Sequence, residues 1–188
     1  RAGLKVMTSK EMAAVCEQKE IHGLTLASTD AEIAMHIVLV RPQIPPNTGN
    51  IARLCAGTGT DLHLVGELGF SLEDKYVRRA GLDYWPHVKL HRHDTLEEVL
   101  EGVAPEDVAF FSSHATRPYT EFSPKGAPWM VFGRETEGLG PELLTREQAR
   151  SYLIPILPTV RSLNLANACS VVLYDQLRRT GFEMGKAP

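Results

Sequence analysis

The sequence predicts an α/β domain built on a mostly parallel sheet flanked by helices, and three observations carry that prediction. From Met35 onward, short apolar runs alternate with stretches of helical periodicity. Two of those runs, Ile37-Val38-Leu39-Val40 and Met130-Val131-Phe132, are apolar without polar alternation, as strands covered on both faces are. Polar segments rich in proline or glycine directly follow the first strand, the strand at 129–133 and the strand at 152–156.

The strands expected in order are His36–Arg41, Asp61–Val65, Val88–His91, Asp107–Ser112, Trp129–Gly133 and Tyr152–Ile156. Helices are expected between them at Thr48–Gly57, Leu72–Ala80 and Thr95–Gly102, as a short turn after Pro141, and at Leu163–Thr180. Residues 1–34 read differently and are expected to be an N-terminal extension outside this pattern. They lack the apolar central region of a secretory signal, and Glu11, Glu17, Glu20, Asp30 and Glu32 argue against an organellar transit peptide. The catalytic or binding domain is then 35–181, followed by a tail at 182–188.

Composition narrows the class further. The 188 residues are 43% hydrophobic and 23% charged, which supports a packed core rather than a disordered chain. Twenty Lys and Arg against twenty-three Asp and Glu give a formal net charge of −3, so a nucleic-acid partner needs a local basic patch. No apolar run approaches the roughly eighteen residues that a membrane span requires. Cys16, Cys55 and Cys169 are widely separated and form no CxxC or Cys/His metal spacing, which fits a reducing, cytoplasmic setting. His91 and His93 flank Arg92 on a strand end with no other ligand nearby in sequence, so the expectation is a solvated surface triplet and no metal.

Three segments carry the candidate chemistry. In Pro45–Cys55 (PPNTGNIARLC), the two prolines imply an extended approach with Asn47 as N-cap. Ile51, Leu54 and Cys55 then form an apolar stripe, while Asn50 and Arg53 share the polar side of the helix. This is either a capped surface helix with a solvated arginine or a guanidinium fork offered to a phosphate or an oxyanion. In Phe132–Gly140 (FGRETEGLG), Gly133, Gly138 and Gly140 permit close backbone approach, and Glu135 and Glu137 disfavour a phosphate. The loop matches neither the dinucleotide fingerprint nor the phosphate-gripping loop. In Ile154–Leu177, Pro155 and Pro158 end a strand, and Ser162 and Asn164 stand at the mouth of a helix. Ser162 is a candidate N-cap, and it lies in no G-x-S-x-G elbow. The helix beyond it is apolar nearly all round, which implies burial on two sides and a second subunit on one of them.

Taken in order, N-T-G-N-I-A-R, G-x-E-x-x-G-L and I-P-I…S-L-N-L-A-N-A-x-S resemble the three motifs of the SPOUT superfamily of RNA methyltransferases. The resemblance covers essentially all of 35–181. I-P-P-N-T-G-N-I-A-R-L-C together with Asp74-Lys75 and Arg78-Arg79-Ala80-Gly81-Leu82-Asp83-Tyr84 is similar to the TrmL/YibK-like branch, which methylates the ribose 2′-hydroxyl of the tRNA wobble nucleotide. The resemblance implies a SPOUT-type α/β knot, with the C-terminal segment threaded as a deep trefoil knot, a rare exception to the usual rules of chain topology. It also implies S-adenosylmethionine as cofactor, contacted at Phe111, Gly133, Glu135, Ile154, Ser162 and Leu163. Arg53, Asn47 and Asn164 become the expected catalytic residues, with Arg53 orienting the hydroxyl and stabilising the developing oxyanion, because a guanidinium does not give up its proton. Glu135 is expected to fix the loop around the cofactor. Lys75, Arg78 and Arg79, with Lys89 and Arg92, are the expected tRNA contacts, and the C-terminal helix the expected homodimer interface. Two other readings stay open: 2′-O-methylation of another RNA such as rRNA, and a noncatalytic RNA-binding scaffold with the same fold.

Overall fold

The structure is a computed structural model and describes residues 34–72 and 84–182. In chain order its main elements are β1 (His36–Val40), α1 (Pro45–Thr58), β2 (Asp61–Val65), β3 (Leu90–His93), α2 (Leu96–Val99), β4 (Val108–Phe111), β5 (Arg117–Pro118), β6 (Trp129–Phe132), α3 (Pro141–Arg146), β7 (Ser151–Leu153) and α4 (Leu165–Arg179). The seven strands form one sheet in the order β3-β2-β1-β6-β4-β7-β5, and every pairing in it is parallel. The expected α/β class therefore holds.

Pairing is in phase across the centre, with His36 opposite both Asp61 and Trp129, and Leu39 opposite both Leu64 and Phe132. Because side chains alternate along a strand, Ile37 and Leu39 with Leu62 and Leu64 face one way. There they bury against Ile51 and Cys55 of α1 and Cys169 and Leu173 of α4. Val38, Val65, Phe110 and Val131 face the other way and pack with Leu96 and Val99 of α2, Leu139, and Leu143 and Leu144 of α3. Both faces are covered, which is why the sequences of β1, β4 and β6 show no polar alternation. Cys55 and Cys169 are fully buried, and burial pushes both thiols well above their ordinary range.

Several element bounds differ from those expected, each for a local reason. Helix α1 begins at Pro45, not Thr48, since proline at a helix's first positions sacrifices no hydrogen bond and already has helical φ. Its N-cap is Ile44, so Asn47 is not the cap but an interior residue, 6% exposed. At the far end Gly59 closes α1 in the left-handed region at φ 69°. Strand β3 starts at Leu90 because a tight turn at Trp85–His87 occupies the approach. Helix α2 is a single turn capped by Thr95, whose hydroxyl accepts from Glu98 N at 3.2 Å. Strand β7 stops at Leu153, before Pro155. Helix α4 is capped by Asn164 rather than Ser162, with Oδ1 accepting from Ala166 N at 2.9 Å and Asn167 N at 3.4 Å. The two-residue β5 was not expected; it is an edge strand, the one sheet position where its proline removes no needed donor. The helix expected at Leu72–Ala80 lies almost wholly outside the described residues, as do Lys75, Arg78 and Arg79.

Candidate functional site

All strands run the same way, so the segments after β1, β4, β6 and β7 meet at one carboxyl edge of the sheet. The connections from neighbouring strands β1 and β6 diverge there: the chain after β1 enters α1 on one face, and the chain after β6 reaches α3 on the other. Such a divergence opens a crevice outside the strand ends, where open α/β sheets bind ligands.

One side chain bridges the crevice. Glu135 reaches from the loop after β6, its Oε2 accepting from Gln43 N at 2.9 Å and its Oε1 from Ile44 N at 3.2 Å and from Asn47 Nδ2 at 2.9 Å. Asn47 Oδ1 in turn accepts from Asn164 Nδ2 at 2.9 Å, while Asn164 caps α4. A single run of hydrogen bonds thus joins the three motif segments. The carboxylate sits at the start of α1, where the helix dipole favours negative charge, and Ile44 has no side-chain cap of its own. Thr136 adds a second tie across the crevice, its hydroxyl donating to Gln43 Oε1 at 2.7 Å.

The glycine loop is closed on itself. Arg134 N donates to Gly138 O at 3.2 Å and Gly138 N to Arg134 O at 2.8 Å, and Arg134 pairs with Glu137. A Cβ on Gly133 would lie 2.0 Å from Gly138 C and 2.2 Å from Leu139 N. Close backbone approach is therefore required by the loop's own packing, which holds Glu135 out toward α1.

The remaining expected contacts are distributed as follows. The Phe111 ring stacks on Phe132 at 4.9 Å and meets Phe122 edge-on at 6.3 Å, so the side chain belongs to the core at the last residue of β4. Ile154 and Leu163 are half-buried and Ser162 is exposed. Arg53 and Asn50 are exposed on α1, as their spacing predicts. The Arg53 guanidinium lies over the Tyr84 ring at 5.7 Å, and Tyr84 OH donates to Gly49 O at 3.1 Å, tying that ring to α1. The Arg53–Tyr84 contact escaped the sequence reading because thirty residues and a strand separate the pair.

A second cluster was also missed. His36 Nδ1 lies 3.1 Å from His63 Nε2, and His63 Nδ1 lies 3.1 Å from His93 Nε2. His91 Nε2 is 2.9 Å from Asp61 Oδ2. The His91/His93 triplet is therefore not a solvated surface feature standing alone: parallel pairing places His91 opposite His63, and His63 opposite Val38, two residues from His36. Burial above all holds His36 down to about 4, with Asp61 pulling it up and His91 and Lys89 pushing it down, and burial together with His36, His91 and His93 holds His63 at about 3.

A parallel sheet covered on both faces, with a bridged crevice at its carboxyl edge, defines an open-sheet α/β protein. The chain belongs to the SpoU rRNA Methylase family, whose match spans residues 34–174. It is 45% identical over 152 residues to a tRNA (cytidine(34)-2′-O)-methyltransferase of Saccharophagus degradans, covering 80% of this chain and 99% of that one. It is likewise 45% identical over 150 residues to the protein of the same name from Acidovorax, covering 78% and 93%. A solved structure concerned with 2-OH methylation of C/U34 on tRNA superposes with a TM-score of 0.73 at 40% identity, covering 80% of this chain and 99% of that chain. An AdoMet-bound rRNA methyltransferase from Sinorhizobium meliloti superposes with a TM-score of 0.69 at 25% identity, covering 79% and 57%.

Glu135→Ala should remove three hydrogen bonds to a charged acceptor and cost ~2–3 kcal/mol in denaturant unfolding. Gly133→Ala should cost more, about 4 kcal/mol, since the backbone it strikes cannot yield. Gly138→Ala, whose added Cβ meets open space at φ 64°, should cost only about 1–2 kcal/mol. Equal midpoints for the two alanine variants at 133 and 138 would refute this account of the loop.

Proposed function

We propose that this chain transfers a methyl group from S-adenosylmethionine to the ribose 2′-hydroxyl of the wobble pyrimidine nucleotide in tRNA. The observation that carries the reading is the hydrogen-bonded run Glu135–Asn47–Asn164, which gathers the three motif segments at the crevice. The tRNA substrate is favoured over rRNA because the relatives at 45% identity, matched over nearly their whole length, bear that name. A noncatalytic scaffold would not require Asn47, Arg53, Glu135, Ser162 and Asn164 all to be present.

The edge suits the cofactor. Half-buried Ile154 and Leu163 offer an apolar wall for an adenine ring, main-chain groups at Phe111 and Gly133 offer uncharged partners, and the Glu135 carboxylate is already committed to α1. When bound, S-adenosylmethionine supplies a sulfonium methyl already activated for transfer. The protein's task is then alignment and charge. The Arg53 guanidinium orients the ribose hydroxyl and stabilises the developing oxyanion as the hydroxyl proton leaves to water or phosphate. Asn47 and Asn164 act as positioning residues for this edge, since each amide oxygen and nitrogen is engaged between α1, α4 and the loop. The C-terminal segment is threaded as a trefoil knot on the same reading.

The protein acts as a homodimer through α4. Val171 and Tyr174 stand 37% and 50% exposed on that helix, and Leu157 is 75% exposed on the segment leading to it. Apolar surface of this kind on an otherwise packed helix is accounted for by a second copy. Tyr174→Asp should convert the dimer to a monomer in sedimentation; wild-type protein sedimenting as a monomer would rule the interface out.

Arg53→Ala should leave cofactor affinity by calorimetry within about twofold and lower kcat by about 10²–10³. Unchanged turnover would remove Arg53 from the mechanism, and absence of cofactor binding in the wild type would favour the scaffold. Reversing Lys75, Arg78 and Arg79 to Glu should weaken tRNA binding and flatten its salt dependence by roughly 0.7–0.9 log units per lost phosphate contact. An unaltered salt slope would place the RNA-binding patch elsewhere.

A further inference from the structure

We propose that His36, Asp61 and His63 form a binding site for one divalent transition-metal ion of the imidazole-preferring kind, such as Zn²⁺, Co²⁺ or Ni²⁺. The site lies toward the amino-terminal ends of β1 and β2, at the opposite end of the strands from the crevice. His36 and Asp61 are the first residues of their strands and stand opposite each other in register.

The donor set is borderline-soft nitrogen with one carboxylate, the combination that such ions take. One ligand atom from each of the three residues lies within 4.8 Å of the others. His36 Nδ1 and His63 Nε2 face each other at 3.1 Å. Two nitrogens bound at about 2.1 Å to one tetrahedral ion stand roughly 3.3–3.4 Å apart, so the pair needs almost no adjustment. Asp61 must swing inward. It is half-exposed, accepts from His91 at 2.9 Å and lies 3.9 Å from Lys89 Nζ, contacts that an ion would displace or share.

The surroundings already orient the two imidazoles. His36 stacks on Trp129 with ring centres 3.8 Å apart and planes 9° from parallel. The second nitrogen of His63, Nδ1, sits 3.1 Å from His93 Nε2, and His93 Nδ1 lies 3.5 Å from Glu98 Oε1. With His63 Nδ1–H donating to His93 Nε2, the His63 Nε2 lone pair is available to an ion, which would take the place of the hydrogen that His36 Nδ1 and His63 Nε2 otherwise share. Metal-bound histidines usually make such an outward hydrogen bond. Three protein ligands leave a fourth position for water. The ion would tie the first two strands of the sheet together and stabilise the folded chain by mass action.

The test uses the full chain without a histidine tag, stripped by chelator, then titrated with Zn²⁺ by calorimetry and with Co²⁺ by visible absorption. One ion per chain, the absorption of four-coordinate Co²⁺ and a thermal midpoint raised by Zn²⁺ are expected. His36→Gln and Asp61→Asn should each weaken affinity by about a hundredfold or more and abolish the midpoint shift, and His93→Gln should weaken it by about tenfold. Circular dichroism of the metal-free variants reports that they remain folded, and the two ligand variants fail independently if either disturbs the strand. No saturable binding by the wild type, or undiminished affinity in a folded His36→Gln or Asp61→Asn variant, would overturn the site.

Discussion

The Glu135 carboxylate is the constraint on which the carboxyl edge depends. Without it, α1 would begin with a capping residue that has no side-chain acceptor, two prolines that offer no donors, and a buried Asn47 amide lacking its acceptor. A carboxylate arriving from a loop about ninety residues away supplies acceptors for two main-chain amides and the Asn47 side chain. A charged acceptor makes stronger bonds than a neutral one, and here it also meets the positive end of a 14-residue helix. The loop can deliver it because Gly133 lets the chain fold back on Gly138. Local chemistry in one loop therefore sets the placement of a helix in another part of the sequence.

That coupling matters because of where the sheet divides. β1 and β6 are neighbours whose onward connections pass to opposite faces, so nothing in the sheet's hydrogen bonding fixes how far apart those connections stand. Glu135 and Thr136 span the gap from one side, and Asn164 joins α4 to it from a third direction. A groove at a switch point between diverging connections is open by construction; here it is spanned by hydrogen bonds among the side chains of Glu135, Asn47, Asn164, Thr136 and Gln43.

Much of this was legible from residues alone. Continuous apolar runs gave the central strands, and β2 matches its expected bounds at Asp61–Val65. The glycine loop and the two asparagines stood out as polar residues adjoining apolar strands. What they do was less legible, because capping rules weigh neighbours in sequence. Asn47 reads as an N-cap beside two prolines, yet the prolines take the first helical positions and push Asn47 inside, where its amide is claimed from both sides. Ser162 and Asn164 are equally good caps by residue type, and the partner in α1 that favours Asn164 is 117 residues distant. The histidine cluster is the clearest instance: His36, His63 and His93 have no common spacing, and only parallel pairing in that register aligns them.

The proposed chemistry follows from the same division of labour. A methyl transfer to a hydroxyl demands little general base strength when the donor is activated, but it demands that the charged group beside the oxygen stay where it is. Arg53 is carried on α1, two turns beyond the residues that Glu135 holds, with Tyr84 packed beneath its guanidinium and bonded back to Gly49 of the same helix. Moving the start of α1 would therefore move Arg53 with it. On this view Asn47 and Asn164 need not touch the ribose to matter for turnover. They fix the helix that carries Arg53, and the same bonds hold together the strand ends proposed to receive the cofactor.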